Sequence, residues 1–151
     1  MIAGVAAYVK YLRPDIKVIG VEAEDSACLK AALEAGERVV LDQVGVFAEG
    51  VAVAQIGEVP FSLIQGLIDE VITVNTDEMC AAVKDIFEDT RAVAETSGAL
   101  SLAGLKNIFS RPALKARRCC ALIRGQIPTL IACSISLSAR SWANSVRPFW
   151  R

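Results

Sequence analysis

The chain of 151 residues contains no histidine, and this absence excludes two classes of site. A zinc site built from cysteine and histidine is ruled out, and so is any mechanism that needs a histidine base. The five cysteines are odd in number and show no CxxC or other metal-ligand spacing. We therefore interpret them as reduced thiols of a cytosolic protein.

Long apolar runs and a dinucleotide fingerprint are missing as well. The start, MIAGVAAYVKYL, lacks a basic first region and a cleavage site, which argues against a signal peptide. The most apolar late segment, IPTLIACSISL, is too short to span a bilayer. No GxGxxG turn precedes the strand-like VIGVEAED, so its acids do not indicate a dinucleotide site. We expect a cytoplasmic protein with no membrane partner.

Acidic residues are absent from residue 110 onward. All 17 Asp and Glu lie before that point, whereas eight of the 16 Lys and Arg lie after it. The net charge of −1 therefore averages an acidic part, residues 1–109, and a basic tail, residues 110–151. The tail shows no sustained period of 3.6 or 2. A basic arm for nucleic acid or anionic lipid is one interpretation, but we favour an irregular appendage without a nucleic-acid partner.

Helix and strand patterns alternate in the first part of the chain. Ser26 and Thr76 are predicted helix caps, Gly36 is a predicted helix end, and Met79, Val83, Ile86 and Phe87 are predicted to form one apolar stripe. The order predicts an α/β fold with a mainly parallel sheet, which two recognisable strands leave incomplete. The pattern predicts helices over residues 2–12, 26–36, 60–69, 76–90 and 96–109, and strands over 16–23 and 70–74.

Three longer strings, VIGVEAEDSACLKAALEAG, VGVFAEGVAV and DIFEDTRAVAETSGALSLAGLK, occur in this order. Together they resemble the catalytic domain of biosynthetic threonine deaminase (threonine ammonia-lyase), a pyridoxal-phosphate enzyme of the tryptophan-synthase-β fold type. The resemblance covers residues 2–109 and implies an incomplete three-layer parallel sheet. It also implies the conversion of L-threonine to 2-oxobutanoate and ammonia in isoleucine biosynthesis, by an enzyme that is a homotetramer at full length.

The resemblance further implies two cofactor-binding residues. Gly50, in A-E-G-V, matches the glycine whose backbone lies beside the cofactor ring, and the alternative is a simple turn glycine. Glu95, in A-E-T-S-G-A-L, matches an acid near the active site of related dehydratases, although Thr96 replaces the usual proline. The alternative for Glu95 is an acid that stabilises a helix N-terminus. Glu22 corresponds to a metal-coordinating acid of related serine racemases, but Cys28 falls near the later acid of that site, so we expect no metal.

Several parts of the family pattern are not in this sequence. The Schiff-base lysine belongs to an S-F-K-x-R-G-A type motif and the phosphate to a tetraglycine loop, and both are absent, as is the isoleucine-sensing domain. The resemblance therefore implies no catalytic residue here and an inactive isolated chain. A fragment of a catabolic threonine or serine dehydratase, and a non-catalytic module with a basic arm, are the alternatives.

The tail has a possible origin in a changed reading frame. In the family, the G-L-K string is followed by an L-S-G-A-N-V-N motif and then by a stretch like C-E-L-G-E-Q-R-E-A-L-L. Neither string appears here. The tail's WANSVRPFW can be encoded as TGG GCG AAC AGC GTG AGG CCC TTC TGG. When the reading frame starts one base earlier, the same DNA encodes L-G-E-Q-R-E-A-L-L. We therefore predict that residues 110–151 are the product of a frameshift, which explains both the missing acids and the missing periodicity.

Overall fold

The computed structural model describes residues 1–110 and 119–123, and the backbone of Ile131–Ile135. The chain forms two compact units, Met1–Thr73 and Val74–Arg151. Among the described residues, no helix combines the length and the apolar character needed to cross a membrane. Up to residue 109, the order of α-helices and strands is the one that the sequence predicts.

The first unit is a small α/β assembly. Strands β1 and β2 pair in a parallel sheet. The core joins the three helices through Ala3, Leu29 and Ile64, with Val71 of β2 packed against them. Ile64 is fully buried, and this cluster supplies the unit's hydrophobic stabilisation. The elements are α1 (Ile2–Leu12), β1 (Ile19–Ala23), α2 (Cys28–Ala35), α3 (Glu58–Ile64) and β2 (Glu70–Val74).

The ends of α2 and α3 differ in part from prediction. Gly36 ends α2 as predicted, with φ of 75° in the left-handed region that glycine adopts without strain. Ser26 does not cap α2, because it lies in a 3₁₀ turn and Ala27 occupies the cap position. Helix α3 begins before Pro60, which sits in its first turn, where a proline removes no helical hydrogen bond.

The second unit begins with two helices, α4 (Thr76–Thr90) and α5 (Thr96–Phe109). Asn75, not the predicted Thr76, caps α4, and Glu78 completes a capping box by accepting from the Asn75 N–H at 2.8 Å. The other carboxylate oxygen of Glu78 accepts from Asn107 of α5 at 3.0 Å, and Lys106 of α5 pairs with Asp85 of α4. These contacts set the two helices against each other.

The predicted apolar stripe of α4 is partly wrong. Met79 and Ile86 are buried and Val83 is half-buried, but Phe87 is exposed. The Phe87 ring instead faces the guanidinium of Arg91, 5.7 Å from its centroid, which is a cation–π distance. Ala82 takes the buried position on this face of α4.

Part of the tail packs against α5, contrary to the expectation of an irregular appendage from residue 110. Strand β3 (Cys119–Ile123) pairs antiparallel with β4 (Ile131–Ile135). Ala121 of β3 shares a buried cluster with Leu105 and Phe109 of α5. The Ser101 hydroxyl donates to the Leu122 carbonyl at 2.6 Å. The sequence analysis predicted no strand here because it found no sustained period across residues 110–151, although CCALI is a short continuous apolar run.

Candidate functional site

Gly50 lies in the segment between α2 and α3, residues 37–57, which we call the Gly50 loop. Its only regular element is a 3₁₀ turn at Glu49–Val51, closed by the Val51 N–H, which donates to the Ala48 carbonyl at 3.0 Å. Gly50 itself is exposed. Its φ is not positive, so the turn does not require a glycine for conformational reasons. The missing side chain instead leaves the backbone open to close approach by another group.

Glu95 is the N-cap residue of α5. Its carbonyl accepts hydrogen bonds from Gly98 at 3.0 Å and Ala99 at 3.1 Å, while its side chain makes no capping hydrogen bond. The half-buried carboxylate is therefore not used to satisfy the first-turn amides of α5. Thr96, at the position where the resemblance implies a proline, is the first residue of α5. Gly50 and Glu95 belong to different units.

Glu22 corresponds to a metal ligand of related racemases, but here it caps α2, which begins six residues later in the sequence. It stands on β1, and its two carboxylate oxygens accept from the Leu29 N–H at 2.9 Å and the Lys30 N–H at 2.8 Å. These amides lack helical partners, and Ala27 at the cap position has no side-chain acceptor for them. The described residues include no cluster of three or more potential metal-ligating side chains. The geometry of Glu22 is that of a link between β1 and α2.

Burial sets the protonation behaviour of this link. Removal from solvent raises the pKa of Glu22 above its ordinary value, against the opposing effect of the Leu29 and Lys30 amides. The pKa of the Cys28 thiol is raised as well, by burial and by the negative charge of Glu22. Cys28 is therefore held as a neutral thiol and is a poor nucleophile.

Replacing Glu22 by glutamine should lower the free energy of unfolding by about 1–3 kcal/mol, because one α2 amide then faces an NH₂ donor and loses its acceptor. The folded-state pKa of Glu22 is raised, so its contribution to stability is largest at acidic pH. That contribution declines as pH rises above the ordinary value of 4.5. The wild-type advantage over Glu22→Gln should therefore shrink over this range. Urea unfolding at several pH values measures it.

Glu24→Gln is the matched control, because Glu24 is exposed in the adjacent 3₁₀ turn and its side chain does not contact the α2 amides. Its unfolding free energy should stay within about 0.5 kcal/mol of wild type. Equal effects of the two substitutions would show that Glu22 does not cap α2.

Lys10 and Lys106, two lysines of the described residues, are engaged in ion pairs. The Lys10 ammonium donates to Asp69 at 2.7 Å, and Lys106 pairs with Asp85. Both side chains are thus directed to a carboxylate partner on the protein. The sequence contains neither the motif for the carbonyl end of the cofactor nor the loop for its phosphate, and no catalytic step is assigned to this chain.

The fold and this partial site define a class of protein. Residues 1–125 match the family described as "Pyridoxal-phosphate dependent enzyme", so the chain belongs to that family. The cofactor of this family is pyridoxal phosphate. The match continues past residue 110, where we predicted the frameshift, and it includes β3.

Particular relatives are threonine dehydratases. The chain is 58% identical over 123 residues to the "L-Threonine dehydratase biosynthetic IlvA" of Salmonella typhimurium, covering 82% of this chain and 24% of that protein. It is 54% identical over 110 residues to the mitochondrial threonine dehydratase of Saccharomyces cerevisiae, covering 73% of this chain and 19% of that protein. The chain thus spans about a quarter or less of these curated relatives.

Solved structures show the same fold. The processed form of threonine deaminase isoform 2 from Solanum lycopersicum is similar with a TM-score of 0.67 and 46% identity, covering 68% of this chain and 30% of that one. Maize serine racemase is similar with a TM-score of 0.68 and 25% identity, covering 74% and 36%. These similarities confirm the predicted α/β fold of the tryptophan-synthase-β type.

Proposed function

We propose that this chain is part of the catalytic domain of an L-threonine ammonia-lyase, which forms 2-oxobutanoate and ammonia. The observation that carries the proposal is the identity of 58% to a biosynthetic threonine dehydratase over 123 residues. Gly50 is proposed to lie beside the cofactor ring, because its backbone is exposed and its φ does not require glycine. Glu95 is proposed as the acid near the active site, with its carboxylate not used in capping α5.

The exposed apolar surface of α1 supports the interpretation as a portion of a larger domain. Tyr8, Tyr11 and Leu12 lie on one helical face and are 66%, 83% and 53% exposed. Contiguous apolar surface of this kind is normally covered by other parts of a protein. Since the curated relatives are about four times longer than the aligned stretch, further parts of such a domain are the proposed cover.

A segment exchange tests the function. Residues 1–125 of this chain should replace the aligned segment of the Escherichia coli biosynthetic threonine dehydratase, which is 57% identical. The chimera should release 2-oxobutanoate from L-threonine at a rate within about tenfold of the parent, because the parent supplies the lysine and phosphate motifs. A folded chimera that binds pyridoxal phosphate but does not deaminate threonine would refute the proposal.

Substitutions in the chimera test the site. Gly50→Val should reduce kcat/KM by about 10²-fold, because a branched side chain would displace a ring that lies against the backbone. Gly4→Ala is the control, since Gly4 is exposed in α1 and an added Cβ would meet nothing within 4 Å. Equal activity of the two variants would remove Gly50 from the site.

The basic-arm alternative has little support in the structure. The Lys and Arg of residues 110–151 lie outside the described residues, so the arm itself carries no structural argument. The described part, Cys119–Ile123, contains no charged side chain and packs on α5.

A further inference from the structure

The Gly50 loop has little hydrophobic anchoring. Four of its large apolar side chains are exposed, and only Ala48 among its residues is buried. A loop that buries so little apolar surface gains little stability from solvent exclusion. Ile56, near the end of the loop, packs against the hydrophobic core, and hydrogen bonds restrain the part before it. The exposed residues are Val40 (61%), Val46 (83%), Phe47 (40%) and Val53 (49%).

Gly45 anchors the middle of the loop to the 3₁₀ turn that follows β1. Its N–H is shared between the Asp25 carbonyl oxygen and the Ser26 Oγ, each at 3.1 Å. Ser26 is 4% exposed and is the one buried polar residue in the described part of the chain. Its hydroxyl donates in turn to Asp25 Oδ1 at 3.3 Å. The buried hydroxyl thus both donates and accepts, and such groups specify one arrangement of the chain.

The approach at this point is close, and a side chain at residue 45 would require the exposed Asp25 carboxylate to move. A Cβ built on Gly45 would overlap the carboxylate of Asp25. The φ of Gly45 is not positive, so close contact, not backbone conformation, selects glycine here.

A second set of contacts closes the neck of the loop. The Leu41 N–H donates to the Ala54 carbonyl at 2.8 Å. The Arg38 guanidinium spans the exit, with Nε donating to the Ile56 carbonyl at 3.1 Å and Nη2 donating to Gln55 Oε1 at 2.9 Å. The 3₁₀ turn that carries Gly50 lies between this neck and the Gly45 anchor, and so is restrained from both sides.

We propose that Ser26 and Gly45 are positioning residues, which hold the Gly50 loop in the shape that presents the Gly50 backbone to the cofactor ring. The presentation to a ring rests on the function proposed above, whereas the restraint of the loop rests on the contacts alone. The advantage is preorganisation: a loop already in shape loses less conformational entropy when a ligand binds.

Hydrogen exchange in the full chain tests the restraint. Ser26→Ala removes the hydroxyl acceptor and should make the amides of Val51 and Ala52 exchange about tenfold faster, the effect of roughly one hydrogen bond. The amides of Leu29 and Lys30, which Glu22 holds, should keep their wild-type rates. Gly45→Ala, whose methyl group must displace the Asp25 carboxylate from the Ser26 hydroxyl, should give the same pattern.

Two controls separate local from general effects. Ser62→Ala removes a hydroxyl that donates to the Val59 carbonyl at 2.9 Å at an exposed site of α3, and Gly4→Ala adds a methyl group in open space. Neither should change exchange in the loop. Equal acceleration at Leu29 and Val51 in Ser26→Ala, or no acceleration at Val51, would overturn the proposal.

Cofactor binding by the chimera tests the consequence. Ser26→Ala should raise the Kd for pyridoxal phosphate about tenfold and Ser62→Ala should leave it unchanged, a difference that general destabilisation would not produce in two folded variants. An unchanged Kd together with faster loop exchange would overturn the positioning role while keeping the restraint. A wild-type chimera without cofactor binding would instead contradict the proposed function.

Discussion

Mixed with pyridoxal phosphate and L-threonine, the isolated chain should release no measurable 2-oxobutanoate. The reaction needs a lysine that bonds the cofactor carbonyl and moves the α-proton, and the motif that carries it is absent. The Lys10 and Lys106 amines are held by Asp69 and Asp85, so they are poorly placed to substitute. A loss of the covalent step removes several orders of magnitude of rate.

The measurement combines a coupled assay for the 2-oxo acid with mass spectrometry after borohydride reduction. At stoichiometric cofactor, the chain should show no modified lysine, and the Escherichia coli relative, treated in parallel, should show one. The chimera controls for folding of residues 1–125. Turnover of threonine by the isolated chain, or a single modified lysine, would contradict the prediction that this chain lacks the Schiff-base residue.

Sequencing of the gene should reveal a one-base change of reading frame at codon 126. The family match reaches residue 125, and β3 packs on α5 before that point, so the chain keeps its family character further than the predicted boundary at residue 110. After a Gly125 codon that ends in G, residues 126–130 can be encoded as CAA ATA CCA ACT TTG. Moved back by one base, this reads GCA AAT ACC AAC TTT, or A-N-T-N-F.

The recovered string fits the family pattern at the expected place. Gly125 followed by A-N-T-N differs from G-A-N-V-N at one position, and WANSVRPFW further on recovers L-G-E-Q-R-E-A-L-L. Insertion of one base at the junction should therefore give a longer product whose mass matches the restored frame. If no single-base shift between codons 110 and 126 yields both strings, the frameshift prediction is wrong.

Helix types and their order follow from periodicity, whereas helix ends depend on single contacts. The predicted 76–90 helix agrees with α4 at both ends, because four apolar residues recur at helical spacing and Arg91 takes a left-handed φ of 59°. Ser26 was a reasonable cap by composition. The structure uses its hydroxyl elsewhere, because Gly45, nineteen positions along the chain, binds it. Such a long-range contact leaves no local signal.

The candidate site divides in the same way. The A-E-G-V and A-E-T-S-G-A-L strings identify Gly50 and Glu95 by resemblance, and their roles at the cofactor stay predictions. The sequence could not predict that Glu22 caps α2. Glu22 lies on a strand, and only the fold brings it to the amides of the helix that follows. The structure places Ala27, which has no side-chain acceptor, at the cap position, and this need for an acceptor from elsewhere was hidden by the predicted cap at Ser26.

By itself the sequence determined the alternation of helices and strands, the family, and the missing lysine and phosphate motifs, because hydrophobic period and short strings are local properties. Only the tertiary structure decided that Glu22 caps α2, that Ser26 and Gly45 restrain the Gly50 loop, and that β3 packs on α5. These features depend on which groups meet across tens of residues, and burial and hydrogen-bond geometry, not local propensity, select those meetings.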